Sequence, residues 1–237
     1  MPLFLKERNL DVREMMDDPN CDREKLYHTY DQFTRINKLL GRWNSIYKNR
    51  IRPVIQQLDG KASILDIGSG GGDIISFLHS FTREDRFDVT FTGIDPDPRA
   101  IEYTNRKQWP DGIQFLKAIS SDLIEKNQTF DIVISNHLLH HLSPDELLTV
   151  CTDATALSKK LVLFNDIERS DVGFAFFSLL SPLLFRNSFI SADGITSIKR
   201  SYTKNELDKN LPENWSVHRQ FPFRLLAIHQ KQNHASG

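Results

Sequence analysis

Apolar positions in the first sixty residues recur at helical spacing. Leu26, Tyr30, Phe33, Asn37 and Leu40 follow at alternating steps of four and three, which draws one stripe along a helix. Asp22 stands where an N-cap is wanted. Trp43, Ile46, Tyr47, Ile51, Val54, Ile55 and Leu58 make a second stripe. Pro53 is expected to kink that helix or restart it, because proline has no amide hydrogen to give. Asp59-Gly60 closes this helical lead. From residue 63 the pattern changes to short apolar runs, Ser63 to Ile67, Val89 to Ile94, Ile113 to Leu116, Phe130 to Ser135 and Lys160 to Phe164, separated by helical stretches. Such alternation predicts an α/β fold, doubly wound around a mostly parallel sheet.

The helix starts are marked by their caps. Ser143-Pro144-Asp145-Glu146 puts a hydroxyl at the N-cap, proline in the first turn and glutamate three residues on, predicting a helix to about Leu157. Thr203 and Glu206 repeat the box. Trp215 to Gln220 and Phe223 to His229 read as two last strands around Pro222, close enough for an antiparallel hairpin. Repeats, low-complexity tracts and linkers are absent from the pattern. The organisation expected is therefore a helical cover over residues 1–60, packed on an α/β body over 61–237 with an insert at 167–200.

Composition narrows the classes of partner. The 237 residues are 39% hydrophobic and 26% charged, enough for a sizeable core and too apolar for a disordered chain. Thirty basic against 31 acidic residues leave a net charge of −1, which does not advertise a polyanion, so a small molecule is favoured over nucleic acid. Arg35, Lys38 and Arg42, and later Lys199, Arg200 and Lys204, are read as solvated charge. Cys21 and Cys151 lack metal or disulfide spacing, and the opening apolar run is too short for a signal peptide. A reducing, cytoplasmic setting is expected.

Chemistry concentrates in Ile64-Leu65-Asp66-Ile67-Gly68-Ser69-Gly70-Gly71-Gly72-Asp73, a buried strand entering a glycine-rich turn and then a helix. Gly68, Gly70 and Gly72 allow left-handed backbone and leave no Cβ in the way of a ligand, while the first amides of the helix stay free to donate. A dinucleotide fingerprint starting at Gly68 would want glycine or alanine at 73, where this chain has Asp73, and a carboxylate there repels a pyrophosphate. The turn suits a ligand without phosphates, whose ammonium meets Asp66 and whose carboxylate meets the turn amides. S-adenosylmethionine has those groups. Asp95, at the end of the second strand, is placed to accept two hydrogen bonds from a ribose diol. The rival readings are a structural turn and a helix cap.

LDIGSGGGD, GIDPDP and FDIVISNHLLHHL resemble the successive motifs of class I S-adenosylmethionine-dependent methyltransferases, in particular the small-molecule type related to quinone biosynthesis, over residues 60 to 165. MDDPNCDREKLYHTYDQF and FPFRLL are similar, more faintly, to bacterial methyltransferases of polyketide or phenolic-lipid pathways. The resemblance implies a seven-stranded Rossmann-like sheet and S-adenosyl-L-methionine as cofactor. Gly68, Ser69, Gly70 and Gly72 would shape the methionine pocket with the support of Asp66, Asp95 would hold the ribose, and Pro96 would flank the adenine. Where the family often shows Asp-Ala after the third strand, this chain has Ile119 and Ser120, which would act by apolar packing and a hydroxyl hydrogen bond; Asp122 is equally a helix cap. Asn136 and His137 would lie beside the cofactor.

Three histidines, His137, His140 and His141, fall at the carboxyl edge of the sheet, where open α/β folds build sites. An imidazole titrates near neutrality, so His140 first and His141 second are candidates to take a proton from an acceptor hydroxyl. The alternative is that both pack under the cofactor loop with their nitrogens satisfied. No carboxylate stands at helical spacing among the three, so no metal site is expected. Residues 172–185, rich in Phe and Leu, are shorter than a membrane span of roughly 20 residues. They read as an apolar wall for a hydrophobic acceptor, as core or homodimer surface, or as a peripheral membrane contact. The function expected is O-methylation of a small aromatic or hydrophobic metabolite. The alternatives are C-methylation of a quinone-like precursor, a noncatalytic S-adenosylmethionine-binding module and, more remotely, tRNA modification.

Overall fold

The apolar runs form strands β1 (Lys61–Ile67), β2 (Asp88–Asp95), β3 (Ile113–Lys117), β4 (Phe130–Asn136) and β5 (Ser158–Ile167), followed by β6 (Trp215–Gln220) and β7 (Arg224–Gln230). These are the elements of a computed structural model, which describes residues 2–231. The strands join one sheet in the order β3-β2-β1-β4-β5-β7-β6. Strands β1 to β5 are mutually parallel, and β7 runs antiparallel between β5 and β6. The strand order reverses between β1 and β4, the place where an open α/β sheet leaves a crevice at its carboxyl edge. Because β7 is antiparallel, its first residue, Arg224, lies at that same edge, opposite Ile167.

Helices α1 (Arg23–Leu40), α2 (Trp43–Ile46) and α3 (Arg52–Gln57) make up the lead, and α4 (Asp73–Glu84), α5 (Pro98–Asn105), α6 (Ser120–Glu125) and α7 (Pro144–Leu157) alternate with the strands. Asp22 caps α1 by accepting the amide of Lys25. The prolonged second stripe is resolved by a π turn over Tyr47–Ile51, which widens the helix just ahead of Pro53 and accommodates its ring and missing donor. Trp43, Ile46, Tyr47, Ile51, Val54 and Ile55 pack with Ile74, Ile75 and Leu78 of α4 on one face of the sheet. The other face is covered by α7 through Leu147, Cys151, Ala154 and Leu157. Each large aliphatic side chain buried in these layers is worth about 2 kcal/mol of transfer free energy.

The insert is helical: α8 (Asp171–Leu184) and α9 (Ile190–Arg200) precede α10 (Lys204–Asn210). Gly173 lies against the Phe223 ring and Gly194 against Phe177, so α8 has one packed face. Its other face leaves Val172, Phe176, Leu179, Leu183 and Leu184 exposed, so the segment is not simply core. No helix among the described residues is long and apolar enough to cross a membrane. The charge cluster at 199–204 needs a correction. Arg200 is buried, donating to the carbonyls of His140 at 3.2 Å, His141 at 3.0 Å and Val12 at 2.6 Å, so it is a clamp on the backbone and not solvated charge.

Candidate active site

β1 delivers Asp66 to the carboxyl edge, and the chain then turns through Gly68, Gly70 and Gly72, all with positive φ (72°, 49° and 76°). A Cβ at Gly72 would meet the Phe115 ring at 2.6 Å, so side chains are excluded there by both backbone and neighbour. The amides of Gly68 and Ser69 donate to the Ile94 carbonyl at 2.9 and 3.0 Å, that of Gly70 to Asp95 Oδ2 at 2.9 Å, and that of Gly72 to Ser69 O at 2.9 Å. Four turn amides are thus used internally and are not free for a ligand carboxylate as expected. Asp73, at the start of α4, accepts the side-chain amide of Asn37 at 2.8 Å.

Asp66 is 1% exposed and its Oδ1 has no hydrogen-bond partner. Burial, reinforced by the nearby Asp73 and Asp95, holds its carboxyl well above the usual range. An orphaned buried carboxylate oxygen costs free energy unless something cationic or protonated meets it, and Ser69 Oγ of the following turn is also buried without a partner. Asp95 accepts the amides of Gly70 and Asp97 at 2.9 Å each, which leaves lone pairs on both oxygens for a diol. The turn, the orphaned Asp66 and Asp95 therefore fit a ligand carrying an ammonium group and a ribose. Pro96 follows directly after Asp95.

The segment after β3 departs from expectation. Ile119 is half-exposed and available for packing, but the Ser120 hydroxyl donates to Asp153 Oδ2 of α7 at 2.6 Å, which removes it as a donor to a ligand. Asp122, the third residue of α6, accepts the amide of the N-cap Ile119 at 3.0 Å and so acts in capping that helix.

Asn136 ends β4, and its Oδ1 accepts from Trp43 Nε1 at 3.2 Å, Asn165 Nδ2 at 3.2 Å and Arg224 Nη2 at 2.9 Å, while its Nδ2 donates to Asn37 Oδ1 at 3.2 Å. His137 follows with a positive φ of 60°, its amide donating to Asn165 O at 3.0 Å, a conformation unusual for a non-glycine residue and frequent at functional sites. Its Nε2 lies 3.0 Å from Arg224 Nη1. Arginine only donates, whereas Asn37 Oδ1, 3.3 Å from the same nitrogen, only accepts; the shorter contact makes Nε2 the accepting nitrogen and leaves the ring proton on Nδ1. Burial and the Arg224 charge push the His137 pKa well below its ordinary value, so this ring is neutral.

His140 is in the opposite condition. It is 1% exposed, with Nδ1 at 2.7 Å from Asp166 Oδ1 and Nε2 at 3.2 Å from Glu14 Oε1. Burial alone would lower its pKa, but Asp166 and Glu14 outweigh it and raise the value to about 10. At neutral pH His140 is an imidazolium with both nitrogens engaged, which argues against it as the base. His141 is partly exposed, facing Glu14 at 3.8 Å and Asp17 at 3.4 Å. Asn37 and Trp43 were read only as members of helical stripes, Arg224 only within FPFRLL, and Asp166 not at all, although its place at the carboxyl end of a strand was a signal.

α1 closes over this edge. Tyr30 lies where a Cβ at Gly71 would come within 2.9 Å of it, Tyr30 and Tyr27 pack on Tyr103 of α5 with ring centroids 5.0 and 5.3 Å apart, and Phe33 stacks on His137 at 6.3 Å.

The sheet order and the glycine turn define a class I methyltransferase fold. In agreement, residues 64–160 match the family model described as "Methyltransferase domain". Residues 64–160 are therefore similar to a methyltransferase domain. Similar solved structures include the plantazolicin methyltransferase BpumL in complex with SAH (14% identity, 88% of this chain and 96% of that one, TM-score 0.54). Human N-acetylserotonin methyltransferase in complex with SAM is similar over 89% of this chain and 56% of that one, at 10% identity and TM-score 0.61. An O-methyltransferase family protein from Burkholderia thailandensis is similar over 86% and 58%, at 15% identity and TM-score 0.58. No curated protein matches the sequence.

Proposed function

We propose that the protein methylates a hydroxyl oxygen of a small aromatic or hydrophobic metabolite, with S-adenosylmethionine as the donor. The observation that carries the donor half is the buried, unpartnered Asp66 Oδ1 beside three left-handed glycines. Asp66 would meet the ammonium group, Asp95 the ribose diol, and Ile119 and Pro96 the adenine faces. When bound, the cofactor supplies a methyl group on a positively charged sulfur, a good leaving group.

What the chain adds is alignment and dryness. Trp43, Asn37, Asn165 and Arg224 hold Asn136 from four directions, so the floor of the crevice beyond β4 is rigid, and a fixed floor favours in-line placement of a reacting oxygen. α1, through Tyr30 and Phe33, covers the crevice and excludes water. Neither ring is a free base, since His140 is an imidazolium and His137 Nε2 already accepts from Arg224, so the acceptor would enter as its anion, having left its proton in solvent. The named O-methyltransferase relative supports oxygen as the acceptor atom, and the aliphatic face of α8 favours a hydrophobic one.

The test is a titration with adenosylhomocysteine followed by labelled methyl transfer to a panel of phenols and quinols. Saturable binding and base-stable, ether-linked label on oxygen are expected. Absence of binding, or label on carbon only, would refute the reading.

A further inference from the structure

Arg224 is a buried cation without a buried anion of its own. Its side chain is 4% exposed, its Nη1 and Nη2 donate to the neutral groups His137 Nε2 and Asn136 Oδ1, and its Nε has no partner. Among the described residues no carboxylate lies within 4.0 Å of the guanidinium. Asp166, the acid whose charge it feels, is already bound through Oδ1 to the His140 ring at 2.7 Å and through Oδ2 to the His140 amide at 2.9 Å. Burying an arginine in this way is costly unless an anion arrives. His137, held neutral next to it, adds no competing charge.

The place of Arg224 says which ligand the anion belongs to. It begins β7, three strands from β1 in the order β1-β4-β5-β7, or roughly 14 Å across the sheet at about 4.8 Å per strand. Its head reaches β4 from the side away from the glycine turn. Asn136 and His137, which it touches, lie at the carboxyl edge of the sheet and keep partial solvent exposure. A planar guanidinium there matches a carboxylate, because two parallel N–H bonds fit two oxygens.

We propose that Arg224 is a specificity-determining residue that recognises a carboxylate on the acceptor, so that the substrates are hydroxylated aromatic acids and not neutral phenols. This rests on the methyltransferase reading above and names its substrate class. The acid end pairs with Arg224 at the β5–β7 side of the crevice, and the hydroxyl end is thereby turned toward β1 and the donor.

The experiment is calorimetric titration of the full chain, with and without saturating adenosylhomocysteine. The ligands are matched acid and amide pairs: salicylate and salicylamide, 4-hydroxybenzoate and 4-hydroxybenzamide, 3,4-dihydroxybenzoate and its amide. At least one acid is expected to bind about 10-fold or more tightly than its amide, the worth of one charged hydrogen-bonded pair. In Arg224→Met that preference should fall below about 3-fold, and in Arg224→Lys it should survive in part, the acid-to-amide ratio being read within each variant. If no acid is preferred by the wild-type protein, or if the preference persists in Arg224→Met, the proposal fails. A fall in adenosylhomocysteine affinity with no change in acid preference would make Arg224 a partner of the cofactor's own carboxylate, and also overturns it. Should Arg224→Met not fold, the wild-type ranking and Arg224→Lys decide. Failure of the wild-type protein to bind adenosylhomocysteine strikes the methyltransferase reading instead, and the acid preference is still read on the free protein.

Discussion

Asp166 accepts both the ring Nδ1–H and the backbone amide of His140, at 2.7 and 2.9 Å, with Glu14 on the far nitrogen of the ring. This is a buried ion triad, and its pH dependence follows from the signs. Burial opposes charge on all three groups, but the mutual pairing wins: His140 is raised from 6.5 to about 10, while Asp166 and Glu14 are held below their ordinary values of 3.8 and 4.5. The His140 contribution is complete below about pH 6.5 and disappears as pH climbs through about 10. The two acids contribute above about pH 4.5 and lose that contribution as pH falls through their depressed values. Thermal melts should therefore show this network at full strength between about pH 4.5 and 6.5. His140→Gln leaves two buried carboxylates uncompensated and should cost about 3–5 kcal/mol at pH 7. A melting temperature equal to wild type across that range would show that the triad is not charged as described.

How much of this could be read in the chain depends on the range of the interaction. The capping boxes at Ser143 and Thr203, the hairpin around Pro222 and the glycine turn are local, and each appears where its residues predicted it. The parallel strands were visible as apolar runs because both faces of the sheet are covered. The partners of the histidines were not legible, since Arg224 and His137 stand 87 positions apart and no periodicity links them. Arg200 misled for the same reason: a basic cluster in sequence says nothing about a carbonyl cage supplied by the 140 loop and the first twelve residues. Ser120 misled because its acceptor, Asp153, comes from the helix after the next strand.

Asp66 trades stability for binding. A buried acid whose pKa is raised weakens folding at every pH above its unfolded value near 3.8, because ionisation is easier in the unfolded chain. Asp66→Asn removes that cost, so the ligand-free variant should melt at or above the wild-type temperature at pH 7. It also removes the anion that meets an ammonium, so adenosylhomocysteine affinity should fall by about 10-fold or more, the worth of a charged hydrogen bond. Melting curves and calorimetry on one preparation check both halves. A variant that melts lower and binds normally would place Asp66 outside the site.

Gly70 separates the turn's shape from the stability of the fold. Its φ of 49° is left-handed, yet a Cβ there would find only Tyr30, at an ordinary 3.7 Å. Gly70→Ala should thus cost only the backbone term, about 1–2 kcal/mol, whereas at Gly72 the Phe115 ring 2.6 Å away adds overpacking of about 1–3 kcal/mol. Gly70→Val should leave a folded protein that no longer binds adenosylhomocysteine, and Gly72→Val should lower the melting temperature by a clearly larger amount. Equal melting temperatures for the two valine variants would contradict the packing described around Phe115.

Asn37 is the latch between the helical cover and the crevice. Its Nδ2 donates to Asp73 at 2.8 Å, and its Oδ1 accepts from Asn136 at 3.2 Å, so one side chain of α1 ties the start of α4 to the end of β4. Tyr30 lies against Gly71, so a ligand as large as an adenosyl amino acid is expected to reach the turn by displacing α1, which would return for the reaction. Losing the latch makes opening easier. It also leaves Asp73, whose pKa burial already raises and Asn37 partly restores, with one fewer donor. Asn37→Ala should therefore speed both association and dissociation of adenosylhomocysteine in stopped-flow fluorescence, with dissociation rising more, and should lower stability by about 1 kcal/mol for the lost hydrogen bonds. Asn37→Asp sets a second carboxylate against Asp73 and should exaggerate every one of these effects at pH 7, with the excess over Asn37→Ala shrinking as the pair is protonated at lower pH. Unchanged dissociation rates in both variants would mean that α1 does not gate the crevice.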